Sequence, residues 1–112
     1  MPETFRNYIN GEWVDGPTFE NRNPANTKEV VGLFVKGTAA DVHRAAEAAQ
    51  AALPGWSNLT APARGAFLFK AAEILDRNFD AVAADMTREE GKTLPEAKGE
   101  VRRSINILRY FA

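Results

Sequence analysis

The sequence pattern changes from strand-like to helix-like between residues 35 and 38, and this change limits the folds that the chain can adopt. Residues 5–35 carry closely spaced turn signals, whereas residues 38–112 carry helix caps and apolar residues at helical spacing. We therefore expect a β-hairpin and further strands, followed by three α-helices. No internal repeat interrupts this order, and 112 residues suffice for one modest core.

Turn signals define the strand-rich part. Asn10-Gly11 separates Tyr8-Ile9 from Trp13-Val14, which predicts a hairpin with a tight two-residue turn. Residues 15–17 and 23–26 contain further turn sequences with glycine, proline and asparagine. The apolar run 30–35 then predicts a strand.

Each predicted helix begins at a threonine that can accept a hydrogen bond from a free amide of the first turn. These threonines are Thr38, Thr60 and Thr93, and the last forms a capping box with Glu96. We expect Pro54-Gly55 to end the first helix. We expect Gly91, in a left-handed conformation, to end the second.

The second helix is the longest of the three, and its sequence leaves open a break near residues 78–80. The third helix has one apolar side. Its members are Ala97, Val101, Ile105 and Leu108.

Composition excludes several functions. With 14 basic and 15 acidic residues the net charge is -1, so the chain lacks the excess positive charge that binds nucleic acid or an anionic membrane. The start of the chain lacks a signal-peptide pattern and no apolar run is long enough to span a bilayer, so we expect a cytoplasmic location. The chain has no cysteine and only one histidine, His43, which excludes disulfides and an ordinary zinc site.

Several motifs together resemble the N-terminal region of the aldehyde dehydrogenases. They are residues 7–13, 23–25, 61–65 and 89–92, with Glu100-Val101 following. The resemblance covers nearly all 112 residues. It implies that residues 1–112 form an incomplete N-terminal part of the coenzyme-binding lobe in an α/β enzyme. Family members are several times longer, and their cysteine nucleophile, glutamate base and nucleotide loop lie downstream, so we expect no catalytic or cofactor-binding residue here.

The same resemblance implies the reaction of the complete enzyme. An aldehyde, here of the semialdehyde or 2,5-dioxovalerate type, is oxidised to an acid with NAD or NADP as cofactor. The expected partners are the remainder of the dehydrogenase chain and further copies in a homo-oligomer. The 112-residue chain alone is expected to be inactive and to bind no cofactor.

Two sites follow from the resemblance. A structural cation would be held by backbone carbonyls at Asn21 and Arg22 and by the Glu89 side chain. The third helix resembles the helix that borders the substrate entrance, which makes Arg102 and Arg103 candidates for contact with a charged aldehyde. One of the two can pair with Glu100 or solvent, and the specific hypothesis is that Arg103 holds the distal carboxylate of an acidic aldehyde. The alternative is that both are ordinary surface arginines.

Two other patterns have competing interpretations. Asp85, Glu89 and Glu90 have a helical spacing that suits an ion, but such runs are more often an exposed face paired with nearby Arg88 or Lys92. The function also has an alternative, a free-standing helical interaction module without catalysis. Its binding face would be built by Phe67, Leu75, Phe79 and Met86.

Overall fold

The computed structural model describes residues 1–112 and contains five strands and four helices. The strands are β1 Thr4–Phe5, β2 Asn7–Ile9, β3 Glu12–Val14, β4 Thr18–Arg22 and β5 Val30–Val35, and the helices are α1 Ala39–Ser57, α2 Ala61–Arg77, α3 Phe79–Glu90 and α4 Leu94–Phe111. They form two compact units. The first contains Met1–Asn23 and Thr27–Asn58, and the second contains Pro24–Asn26 and Leu59–Ala112. No helix is long and apolar enough to cross a membrane.

A three-stranded sheet in the first unit places β5 between β1 and β4. β5 runs parallel to β1 and antiparallel to β4, so Phe34 pairs with Phe5 on one side and Phe19 on the other. The ring centroids lie 4.7 Å and 6.2 Å apart. Gly32 makes room for this ladder, because a Cβ there would lie 2.5 Å from the Phe5 ring. The sequence did not predict β1.

The predicted hairpin is confirmed. β2 and β3 pair antiparallel with Ile9 opposite Glu12, which leaves a two-residue turn. Asn10 and Gly11 have φ values of 52° and 79°, and two successive positive φ values are what a type I′ turn requires.

Helix α1 begins as predicted but ends later. The Thr38 hydroxyl accepts from the Asp41 amide, and the Asp41 carboxylate accepts from the Thr38 amide. The prediction that Pro54-Gly55 ends this helix was wrong, since α1 continues to Ser57. Pro54 has no N–H to donate within the helix, but three further residues remain helical after it. Its carbonyl still accepts from the Asn58 amide at 3.1 Å.

The second predicted helix is two helices, so the chain has four helices and not three. Asn78 separates α2 from α3, with its backbone outside the regular helical region. Its side-chain amide donates to the Ile74 carbonyl at 2.8 Å, which satisfies one of the free acceptors at the end of α2. Gly91 ends α3 with φ 75°, as predicted.

Helix α4 packs against both α2 and α3 in the second unit. Three of its predicted apolar residues, Ala97, Val101 and Ile105, are buried, and they meet buried Ala72 and Ala83 from the other helices. Alanine at these positions lets the helices approach closely. Larger side chains complete the core around them. They are Leu75, Phe79, Val82, Met86 and Leu108.

Candidate functional site

The predicted substrate residue, Arg103, lies on the exposed side of α4. No carboxylate lies within ion-pair distance of it. Its neighbour Arg102 does not pair with Glu100. The Arg102 guanidinium donates to Asp76 on α2 at 3.0 Å and lies 4.7 Å from the centre of the Phe79 ring.

Asp76 binds a second arginine as well. Arg109, two turns further along α4, donates to the other Asp76 carboxylate oxygen at 3.1 Å. Partial burial raises the pKa of Asp76, but the bonds to the two arginines outweigh that effect and hold the pKa below its ordinary value. Arg102 and Arg109 therefore connect α4 to α2, and Arg103 is the member of the adjacent pair that is exposed without a carboxylate partner.

The turn between α3 and α4 is built around Gly91 and Lys92. Lys92 donates to Glu100 at 2.6 Å and contacts Glu90 at 2.7 Å, with its side chain only 19% exposed. The hydrogen bond to Glu100 and then that to Glu90 raise the pKa of Lys92. Glu100 is thus engaged by this lysine and not by an arginine of its own helix.

The same turn contacts a short segment from the strand-rich part of the sequence. A Cβ on Gly91 would lie 2.9 Å from Pro24 Cγ and 3.2 Å from the Ala25 amide nitrogen. Two of the motifs that carried the resemblance, residues 23–25 and 89–92, therefore meet here through Pro24-Ala25 and Gly91. This close approach requires a residue without a side chain.

The residues of the predicted cation site are distributed over the two units. Asn21 and Arg22 end β4 in the first unit, where the Arg22 guanidinium donates to the Thr27 carbonyl at 3.1 Å. Glu89 is exposed near the end of α3 in the second unit. No group of three His, Cys, Asp or Glu side chains in the chain could hold a metal ion. The cation site stays a prediction.

The acidic residues of α3 form the exposed, ion-paired face that was the simpler interpretation. Asp85 lies 4.0 Å from Arg88, and Glu90 is paired with Lys92.

The four apolar residues predicted to build the face of an interaction module do not form one exposed surface. Leu75, Phe79 and Met86 are half-buried and pack against the core of the second unit, whereas Phe67 is 60% exposed.

Comparisons with known proteins agree with these motifs. The profile of the aldehyde dehydrogenase family matches residues 13–112. The chain belongs to this family.

Family members with similar sequences include two semialdehyde dehydrogenases. An alpha-ketoglutaric semialdehyde dehydrogenase from Bacillus subtilis is 48% identical over 112 residues, which cover 97% of this chain and 23% of the relative. A glutarate-semialdehyde dehydrogenase from Pseudomonas putida is 46% identical over 108 residues, which cover 94% of this chain and 22% of the relative. The chain thus spans about a quarter of the length of the curated relatives it matches.

A solved aldehyde dehydrogenase shares the fold of the chain. The betaine aldehyde dehydrogenase of Staphylococcus aureus, in complex with NAD+, superimposes with a TM-score of 0.88 at 34% identity. The match covers 94% of this chain and 22% of that protein. The strands and helices of this chain therefore have the fold of the matching region of an α/β aldehyde dehydrogenase.

Sequence reasoning missed the polar contacts that organise this aldehyde dehydrogenase segment. Asp76 and Arg102 are 26 residues apart, and Lys92 and Glu100 are eight residues apart across a helix start. Neither separation matches the three- or four-residue spacing by which charged pairs are recognised within one helix. The capping box at Thr93 and Glu96 was predictable and is confirmed, because its signal is local.

Proposed function

We propose that residues 1–112 are the N-terminal part of the coenzyme-binding lobe of an NAD(P)-dependent aldehyde dehydrogenase that oxidises an acidic semialdehyde to a dicarboxylic acid. The observation that carries this proposal is the match of residues 13–112 to the family. The two named relatives support the substrate class, since each takes its name from an aldehyde that also carries a carboxylate. The solved relative with bound NAD+ supports the cofactor.

In this reaction class a cysteine thiolate attacks the aldehyde carbon, and a hydride passes to the nicotinamide. A water activated by a glutamate then releases the acyl group as the acid. The present chain contains no cysteine, so residues 1–112 contribute no nucleophile. Their role in the proposal is to support the lobe and to provide one wall of the substrate entrance.

Arg103 is the residue through which we propose that this wall selects the substrate. Its neighbour Arg102 is held by Asp76 and stacked on Phe79, whereas Arg103 is exposed and has no carboxylate partner. A planar guanidinium binds a carboxylate with two parallel hydrogen bonds, which suits the distal end of an acidic aldehyde. Such a contact contributes about 1.5 to 3 kcal/mol, or roughly a tenfold to hundredfold effect on binding.

The test uses a chimera in which residues 1–112 replace the matching segment of the Bacillus subtilis relative. Steady-state kinetics are measured from nicotinamide reduction with an acidic semialdehyde and with a neutral aldehyde of similar length. Arg103→Ala is expected to raise the Michaelis constant for the acidic aldehyde roughly tenfold to hundredfold and to spare the neutral one.

Arg77→Ala is the matched control, because Arg77 is another exposed arginine of the second unit with no carboxylate partner. It removes the same charge from a different place and is expected to leave both Michaelis constants unchanged. Equal effects of Arg103→Ala on the two aldehydes, or no effect on either, would assign Arg103 to the solvated surface. An equal loss in the Arg77 variant would show that the effect is one of net charge.

The proposal includes assembly with the rest of a dehydrogenase and with further copies of it. Its support is the apolar surface of the isolated chain, since Phe67, Tyr110 and Phe111 are 60%, 83% and 71% exposed. Exposed aromatic side chains of this size are typical of surfaces that pack against other protein. Size-exclusion chromatography of the chimera is expected to show an oligomer, and a monomer would contradict this part.

A further inference from the structure

The tip of the hairpin carries an asparagine followed by glycine, and neither the fold of the second unit nor the proposed reaction uses it. Asn10 is the one asparagine of the chain that precedes a glycine. Both residues of the turn are exposed. The Gly11 amide has no hydrogen-bond partner in the structure, as is usual for the second residue of a two-residue hairpin turn.

We propose that Asn10 is a site of spontaneous deamidation. The Gly11 amide nitrogen attacks Cγ of Asn10, a new C–N bond closes a five-membered succinimide, and the bond from Cγ to Nδ2 breaks. The displaced nitrogen leaves as ammonia with the proton of the Gly11 amide. Water then opens the succinimide at either carbonyl, which gives aspartate or isoaspartate at position 10. No oxidation or reduction takes place, and water is the one co-reactant.

Three features of the turn favour this reaction. Glycine places no Cβ beside the attacking nitrogen, and a Cβ built there meets nothing nearer than the Tyr8 hydroxyl at 4.0 Å. Because the turn is exposed, hydroxide and water reach both the amide and the imide. The hairpin has only three residue pairs and pairs with no further strand, so few hydrogen bonds oppose the local movement that brings the side chain to the nitrogen.

The product changes the turn in either case. Aspartate adds a negative charge two residues from Glu12. Isoaspartate adds a carbon to the main chain inside a turn that holds only two residues between Ile9 and Glu12. The longer chain no longer fits the two-residue turn, so the pairing of β2 with β3 must change.

The test is an ageing experiment on the intact chain. Purified protein is kept in mildly alkaline buffer, sampled over time and digested with trypsin, which releases the peptide between Arg6 and Arg22. This one peptide contains Asn7, Asn10 and Asn21, so fragmentation mass spectrometry compares three asparagines under the same conditions. Residue 10 is expected to convert several times faster than the other two and to give two acidic products of equal mass.

Asn10→Gln is the control variant, because its longer side chain would have to close a less favourable six-membered ring. The acidic products of this peptide are expected to fall to the level that Asn7 and Asn21 produce. Conversion at residue 10 no faster than at those two asparagines in the unmodified chain would overturn the proposal. So would an undiminished yield of acidic products from the Asn10→Gln peptide.

Discussion

Gly91 offers a sharp test of how the second unit is held together. It ends α3 with φ 75°, a conformation in which a residue with a Cβ is strained. A Cβ at this position would also lie 2.9 Å from Pro24 Cγ, closer than two carbons normally approach. Gly91→Ala is therefore expected to destabilise the chain through both the backbone and the contact with the 24–26 segment.

The size of the effect follows from these two terms. The left-handed conformation costs an alanine about 1 to 2 kcal/mol, and the contact with Pro24 adds to that. Gly99→Ala is the matched control. Gly99 lies inside α4, is exposed, and has nothing within 4 Å of a built Cβ. Alanine there should gain about 0.5 to 1 kcal/mol from its higher helix propensity. A glycine-to-alanine substitution is thus expected to lower the free energy of unfolding at position 91 and to raise it at position 99.

Urea denaturation followed by far-ultraviolet circular dichroism measures both changes. The free energies of unfolding of the two variants are expected to differ by at least roughly 1.5 to 3 kcal/mol, with an unchanged slope against urea concentration. Equal stabilities of Gly91→Ala and Gly99→Ala would refute the reasoning about the α3–α4 turn.

Three further predictions concern the core, the ion pairs and the surface. Ile105 is 0% exposed, so Ile105→Ala should lower the free energy of unfolding by about 2 to 5 kcal/mol. Ile107 is 46% exposed on the same helix, and Ile107→Ala should lower it by roughly 0.5 to 1 kcal/mol. Similar losses in the two variants would contradict the assignment of the core. The pKa of Asp76 is lower in the folded chain than in the unfolded chain, so as the pH falls the unfolded chain binds this proton first. The stability that the ionised carboxylate provides is therefore present above the unfolded pKa and is lost as the pH falls through the folded pKa. Asp76→Asn should flatten the acid side of a plot of stability against pH, and an unchanged slope would contradict the pairing. The exposed aromatic side chains of Tyr110 and Phe111 should make the isolated chain associate, and light scattering that is independent of concentration would oppose this.

The parts of the fold that the sequence predicted are those with local causes. The hairpin follows from Asn10-Gly11, because few other residues accept two successive positive φ values. The starts of α1 and α4 follow from capping boxes closed within four residues. The strand at 30–35 follows from its apolar run.

Most of the missed features depend on residues that are distant in sequence. β1 has only two residues and exists because it pairs with β5, so its own sequence carries little signal. The end of α1 was misplaced for a local reason, because the helix continues for three residues past Pro54. At the candidate site, the exposure of Arg103 could be predicted from its position on α4. The partner of Arg102 could not, because Asp76 comes from another helix.

The most direct test of the central claim is the activity of the chimera beside that of the isolated chain. The chimera is expected to reduce the nicotinamide cofactor with an acidic semialdehyde at a rate similar to that of its Bacillus subtilis parent. The 112-residue chain, which has no cysteine, is expected to show none above the buffer blank. An inactive but folded chimera, or turnover that copurifies with the 112-residue chain alone, would contradict the assignment of these residues to the supporting part of an aldehyde dehydrogenase.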